Sequence, residues 1–137
     1  MNYSDDDYKF GLDKELEYYE ILKNKFDSSL EKVLYKYSLF DYSGTNCFIE
    51  LKSRRNEHNK YKDTMIGCNK LLFARNCNKD FYFVFVFTDG FFYYKFKKED
   101  YDTGIIRSAY GGRNDRGIDE KKPYCYIPTK LLIKINT

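Results

Sequence analysis

The first chemistry on offer in this chain lies in one short run, Phe40-Asp41-Tyr42-Ser43-Gly44-Thr45-Asn46-Cys47-Phe48-Ile49-Glu50-Leu51-Lys52. Ser43, Gly44, Thr45 and Asn46 read as a turn. About a symmetric turn, residues whose numbers sum to 91 lie opposite each other. That sets Asp41 against Glu50 on neighbouring strands, with Cβ atoms ~4.5–5.5 Å apart. Like charges facing across a sheet are destabilising, so the pair needs a compensating cation, and a hard divalent ion such as Mg²⁺ or Mn²⁺ suits oxygen ligands. Lys52, two residues beyond Glu50, leaves the strand on the same face. Two carboxylates and an ammonium around one point make a hydrolytic centre for a phosphodiester. Asp41 and Glu50, joined by the Leu51 carbonyl, would hold the metal, which polarises the phosphate and lowers the pKa of a bound water. Lys52 would orient that water or stabilise charge developing on the phosphoryl oxygens. The competing reading of Glu50 and Lys52 is a solvated, salt-bridged strand face with no metal.

The elements that must position these groups follow from periodicity. Leu12, Leu16, Tyr19, Leu22 and Phe26 recur at three- and four-residue intervals, which predicts an amphipathic helix over residues 12–26. Glu15 lies on the stripe of Tyr19, Leu22 and Phe26, so it should face the sheet and offer a second acid. At least one strand is expected to end near Asp41, and residues 47–53 alternate around Ile49 and Leu51 as a second. Asp63 can cap a helix over 64–75, with Ile66, Lys70 and Phe73 along one side. The apolar run 81–87 reads as a central strand buried on both faces, and Asp89-Gly90 as a tight turn into a strand over 91–96. A Gly-, Asp- and Arg-rich loop leads to strand-like 124–127 and a last apolar segment, 131–135. The order α-β-β-α-β-β with a C-terminal extension predicts an α/β (α+β) fold, a mixed central sheet flanked by helices.

Composition narrows the function. A chain of 137 residues, 42% hydrophobic and without a linker or repeat, is read as one domain spanning 1–137. Its net charge of +3 is too small for a polybasic protein, so attraction to nucleic acid must come from local clusters. The single His58 excludes zinc sites built on two or more imidazoles, and Cys47, Cys68, Cys77 and Cys125 lack a C-x-x-C pair, so reduced thiols are expected. Asp5, Asp6 and Asp7 stand where a leader would be basic, and no apolar stretch reaches ~18 residues. A soluble protein of the cytoplasm or host cell, with no membrane partner, is the expectation. The aromatic content of 20%, with abundant Lys and Asn, has the style of an AT-rich viral or phage coding genome.

At this point the chain resembles the PD-(D/E)XK nuclease superfamily, whose loose signature is an acid at a strand end followed by Glu/Asp-x-Lys on the next strand. Asp41 is similar to the first acid and Glu50-Leu51-Lys52 to the triplet. Gly11-Leu12-Asp13-Lys14-Glu15 is similar to the Gly-x-x-x-Glu helix start of archaeal-type Holliday junction resolvases, which puts Glu15 forward as the helix-borne acid. Lys70 sits where members often direct a basic or amide group at the active site. Phe40 replaces the proline of the family name, as it does in members that lack it. The resemblance implies a restriction-endonuclease-like core and a metal-dependent deoxyribonuclease, an endonuclease that could be structure-selective or junction-resolving. A branched substrate would require a homodimer with two sites. Residues 52–62 carry five cations against Glu57, a local +4 that would neutralise DNA phosphates, with Arg54 the best contact on the face of Glu50. Arg113 and Arg116, in a glycine-flanked loop, offer a second cluster, and Tyr42, Tyr61 and Tyr110 could stack on bases. The alternative is a non-catalytic nucleic-acid-binding module of the same fold. A third reading directs the nuclease at RNA.

Overall fold

A computed structural model describes residues 16–111 and 122–137. Helix α1 (16–25) packs on one face of a six-stranded sheet. The sheet is built from β1 (Glu31–Lys32), β2 (Tyr42–Ser43), β3 (Cys47–Ser53), β5 (Asp80–Phe87), β6 (Gly90–Lys95) and β9 (Ile133–Ile135), side by side in that order. Among the described residues of this sheet only the β3–β5 pairing is parallel. A parallel neighbour demands a crossover, and here β4 (Asp63–Gly67) and α2 (Cys68–Arg75) make it. β4 belongs to a second, antiparallel sheet of order β4-β8-β7, with β7 at Arg107–Gly111 and β8 at Lys122–Pro128. The five-residue helix α3 (Lys98–Asp102) and a 3₁₀ turn at Thr129–Leu131 complete the described elements. The expected α-β-β-α-β-β order survives as α1-β2-β3-α2-β5-β6, in a mixed sheet with a helix on each face.

Strand β5 is central and buried on both sides because its side chains alternate. Phe81, Phe83, Phe85 and Phe87 enter a core with Leu71 and Ala74 of α2 and with Ile66, Cys125 and Ile127 of the small sheet. Val84 and Val86 enter the opposite core with Leu22, Tyr42, Ile49 and Leu51.

Four expectations are corrected. Residues 64–67 are strand and not the first turn of a helix: Thr64 and Ile66 point inward with period two, and Ile66 is registered with Cys125 of β8. Helix α2 therefore starts only at Cys68. Leu16 is 73% exposed, and Tyr18 and Ile21 take its place against the sheet. At the β5–β6 hairpin Phe87 is registered with Gly90, so Thr88 and Asp89 form the tip and the positive φ of 142° falls on Gly90 at the strand start. Strand β7 also occupies part of the stretch read as loop. Among the described residues no helix is long and apolar enough to cross a membrane.

Candidate active site

The β2–β3 hairpin follows the expected register, Tyr42 against Ile49 and Ser43 against Phe48. Its turn is clamped from outside. Asp27, at the end of α1, accepts the Asn46 N–H on Oδ2 at 2.8 Å, and on Oδ1 the Ser29 N–H at 2.9 Å and the Ser29 hydroxyl at 2.6 Å. Ser29 Oγ in turn accepts the Thr45 N–H at 2.8 Å, and Lys79 Nζ donates to the Gly44 carbonyl at 3.0 Å. These donors, the Ser29 hydroxyl first, hold the Asp27 carboxyl below its ordinary range. Gly44 is required by space: a Cβ there would stand 2.6 Å from Asp27 Oδ2.

One residue before the registered pairs, the strand bulges. Tyr42 is already opposite Ile49, yet the Asp41 N–H also donates to the Ile49 carbonyl at 2.8 Å. Two residues then meet one, which re-aims the extra side chain. The Asp41 carboxylate consequently accepts the Leu51 N–H on Oδ2 at 2.8 Å, where direct opposition to Glu50 was expected. Residues 49 and 51 turn the same backbone edge toward β2, so the Leu51 carbonyl leaves β3 on the side that Asp41 occupies. Lys32 Nζ lies 3.8 Å from Asp41 Oδ1.

Glu50 is buried, 2% exposed, on the opposite sheet face from Ile49 and Leu51. Its Oε2 is in ion-pair contact with Lys70 Nζ of α2 and lies 3.6 Å from Lys52 Nζ. Lys70 is the third residue of an eight-residue helix that has no acid in its first turn. A cation there opposes the helix dipole, so its placement is explained by Glu50 and not by helix stability. The structure thus groups Asp41 with Leu51 and Lys32, and Glu50 with Lys52 and Lys70, about adjacent backbone positions of one strand.

The donor types, two carboxylates and a carbonyl, are those a hard divalent ion takes; three ammonium groups against two carboxylates leave a local +1, so an ion there would displace an ammonium from Glu50. Mg²⁺ is ordinarily bound through one or two carboxylates, with waters and substrate phosphate filling its other positions. Among the described residues no cluster of three or more His, Cys, Asp or Glu offers a site supplied wholly by side chains.

Other expected groups are used differently. Arg54 donates through Nη2 to the Met65 carbonyl at 2.6 Å and through Nε to Thr64 Oγ1 at 3.5 Å, and burial lowers its pKa. It ties β3 to β4, a structural use beside the phosphate contact expected of it. Tyr42 is buried and stacked on Tyr19, so it cannot reach a base, whereas Tyr61 and Tyr110 are exposed. His58 is held by Asp89, Nδ1 to Oδ2 at 2.5 Å, and stacks on Phe92. All four cysteines are free thiols. Glu15, Arg113 and Arg116 lie outside the described residues. Lys32, Asp27 and Ser29 were not read from sequence as parts of the site; only the Asp-x-Ser pattern at 27–29 carries a local signal, that of an Asx turn.

The family model described as "Phage putative PDDEXK endonuclease" matches residues 7–135. The chain belongs to this family. The matched range contains the hairpin just described. Among solved structures, the chain is similar to that of Hjc, a Holliday junction resolvase from the archaeal hyperthermophile Archaeoglobus fulgidus. The match has 11% identity and a TM-score of 0.45, and it covers 84% of this chain and 93% of that one. No curated protein matches the chain.

Proposed function

We propose that this PDDEXK endonuclease hydrolyses DNA phosphodiesters in a divalent-cation-dependent reaction centred on Asp41, Glu50 and Lys52. Water adds to phosphorus as one P–O ester bond breaks, leaving a phosphomonoester and a hydroxyl. The observation that carries the reading is Glu50: a carboxylate 2% exposed, ion-paired with Lys70 and Lys52, one residue from the backbone N–H that holds Asp41. Burying a charge is costly unless it is paired, and nucleic-acid binding alone gives no reason to bury a carboxylate beneath a basic surface.

Asp41, Glu50 and the Leu51 carbonyl would hold the cation, with Mg²⁺ the natural occupant and Mn²⁺ a substitute. When bound it supplies Lewis-acid polarisation of the scissile phosphate and a more acidic water. Lys52, the more exposed of the two lysines at Glu50, orients the attacking water or steadies charge on the phosphoryl oxygens. Lys70 acts through Glu50 and is a positioning residue. Glu15 is the helix-borne acid of the proposal, and Arg113 and Arg116 its loop contacts to DNA. A branched substrate would engage two copies of the chain.

Supercoiled plasmid, linear duplex and four-way-junction DNA, incubated with the protein and Mg²⁺, provide the test. Cleavage should disappear in chelator and in Glu50→Gln. Retardation of DNA without cleavage by the wild type in Mg²⁺ and Mn²⁺ would make the chain a binding module instead, and preferential cutting of matched RNA would redirect the activity.

A further inference from the structure

Between β1 and β2 the chain projects a short finger, residues 33–40, whose base is pinned beside the catalytic centre. The Val33 N–H donates to the Asp41 carbonyl at 2.8 Å, and Lys32 is registered with Tyr42. At the tip a turn is closed by the Ser38 N–H on the Tyr35 carbonyl, 3.0 Å, while the Ser38 hydroxyl donates to the Phe40 carbonyl at 2.8 Å. Phe40 roots the finger in the core, with its ring centroid 4.3 Å from that of Phe48 and 5.4 Å from that of Phe73. The finger is therefore internally bonded, not a slack loop.

What it presents is unusual. Leu34 is 89% exposed, Tyr35 67% and Tyr37 69%. Isolated apolar side chains in water need no explanation, but three within four residues, on an ordered tip, form a patch. The tyrosines stand edge to face with centroids 5.6 Å apart, and Lys36 Nζ sits 4.9 Å from the Tyr37 centroid. From 32 to 40 the charged residues are Lys32 and Lys36 alone. Flat rings with Lys36 between them, and with Glu31 and Asp41 kept to the base of the finger, complement bases on a phosphate backbone.

Building on the DNA-hydrolase reading above, we infer that the finger is a wedge that senses unpaired or opened bases next to the scissile phosphate. Tyr35 and Tyr37 stack on the displaced bases and Leu34 fills the opened step, as apolar wedges do when they part a base step. Lys36 meets the backbone alongside. Because the finger is already ordered, little entropy opposes its insertion. It hangs from Asp41, so it couples distortion of the DNA to placement of the phosphate, and it makes the enzyme selective for bulged or branched DNA over uniform duplex.

The test uses the full chain in chelator, so that nothing is cut, with 2-aminopurine at the unpaired position of a bulged duplex and in a fully paired control. The wild type should quench the bulge fluorophore. The Leu34→Ser/Tyr35→Ser/Tyr37→Ser variant, whose changes are all at exposed positions, should not, and its affinity for bulged DNA should fall at least about fivefold per lost stack while duplex affinity holds. Equal quenching by both proteins, or equal loss of affinity on both DNAs, would overturn the inference. So would a change confined to oligomeric state by sedimentation, which would make the finger a surface for a second copy of the chain. Quenching retained in Glu50→Gln supports the wedge independently of cleavage. A wild type that quenches but never cleaves in Mg²⁺ strikes the proposed activity and leaves the wedge standing.

Discussion

Replacing Lys70 with Met isolates the ion pair on which the geometry of Glu50 depends. The side chains are 19% and 3% exposed, so neither charge is fully screened by water. Two unit charges at ~4 Å attract by about 4 kcal/mol at an effective dielectric near 20. Removing one partner of a buried pair costs about 3–5 kcal/mol, because the remaining charge is stranded. Lys52 stays 3.6 Å from the same oxygen, but at 36% exposure it compensates only in part. Lys70→Met should therefore lose about 3 kcal/mol in urea unfolding in chelator at neutral pH, and roughly 10 °C in Tm. Combining it with Glu50→Gln removes the stranded charge, so the double variant should recover most of that loss, with a coupling of at least about 1 kcal/mol. Mg²⁺ at a hundredfold over its Kd should stabilise the wild type by about 2.7 kcal/mol and Lys70→Met by more, since no ammonium then competes for the carboxylate. Stability of Lys70→Met within about 0.5 kcal/mol of wild type, or a double variant as unstable as the single, would refute the reasoning.

Asp27 supplies an acid limb. Its carboxyl lies below the ordinary 3.8 in the folded chain, chiefly through the Ser29 hydroxyl, so its contribution is complete above that value and is lost as pH falls through the lowered pKa. Denaturation curves below about pH 4 should be flatter for Asp27→Asn, which also loses about 1–3 kcal/mol at neutral pH by leaving turn N–H groups poorly matched. Arg54→Met should cost about 1–3 kcal/mol by orphaning the Met65 carbonyl, yet leave the salt dependence of DNA binding unchanged; a slope reduced by about 1 would make Arg54 a phosphate contact as well. Among the thiols, burial raises Cys47 to about 11 and Cys125 to about 12, whereas Cys77 is half-buried. Iodoacetamide at neutral pH should label Cys77 first in mass spectra of the native protein, and Cys47 and Cys125 only after unfolding.

What could be read from the chain was what depends on neighbours in sequence. Strand 47–53 has the bounds predicted for it, because alternation around Ile49 and Leu51 is a local signal. The register of Tyr42 and Ile49 followed from the turn chemistry of residues 43–46 between them. The bulge at Asp41 was invisible, since a symmetric turn implies an unbroken ladder and nothing local marks the extra residue. Residues 64–67 look helical beside Asp63, yet a partner about sixty positions downstream claims their backbone. That pairing also explains Arg54, whose guanidinium serves the Met65 carbonyl once β4 lies alongside. Lys70 was placed at the site by family resemblance alone. No spacing rule connects it to Glu50, twenty residues earlier and on a different element.

The central claim is that Asp41 and Glu50 serve one divalent cation, and Mn²⁺ titration followed by electron paramagnetic resonance tests it most directly. The wild type should remove one equivalent of free Mn²⁺ signal, with Mg²⁺ competing, and both Asp41→Asn and Glu50→Gln should abolish that uptake while remaining folded by circular dichroism. Uptake unchanged in the two folded variants, or absent from the wild type with DNA bound, would contradict it.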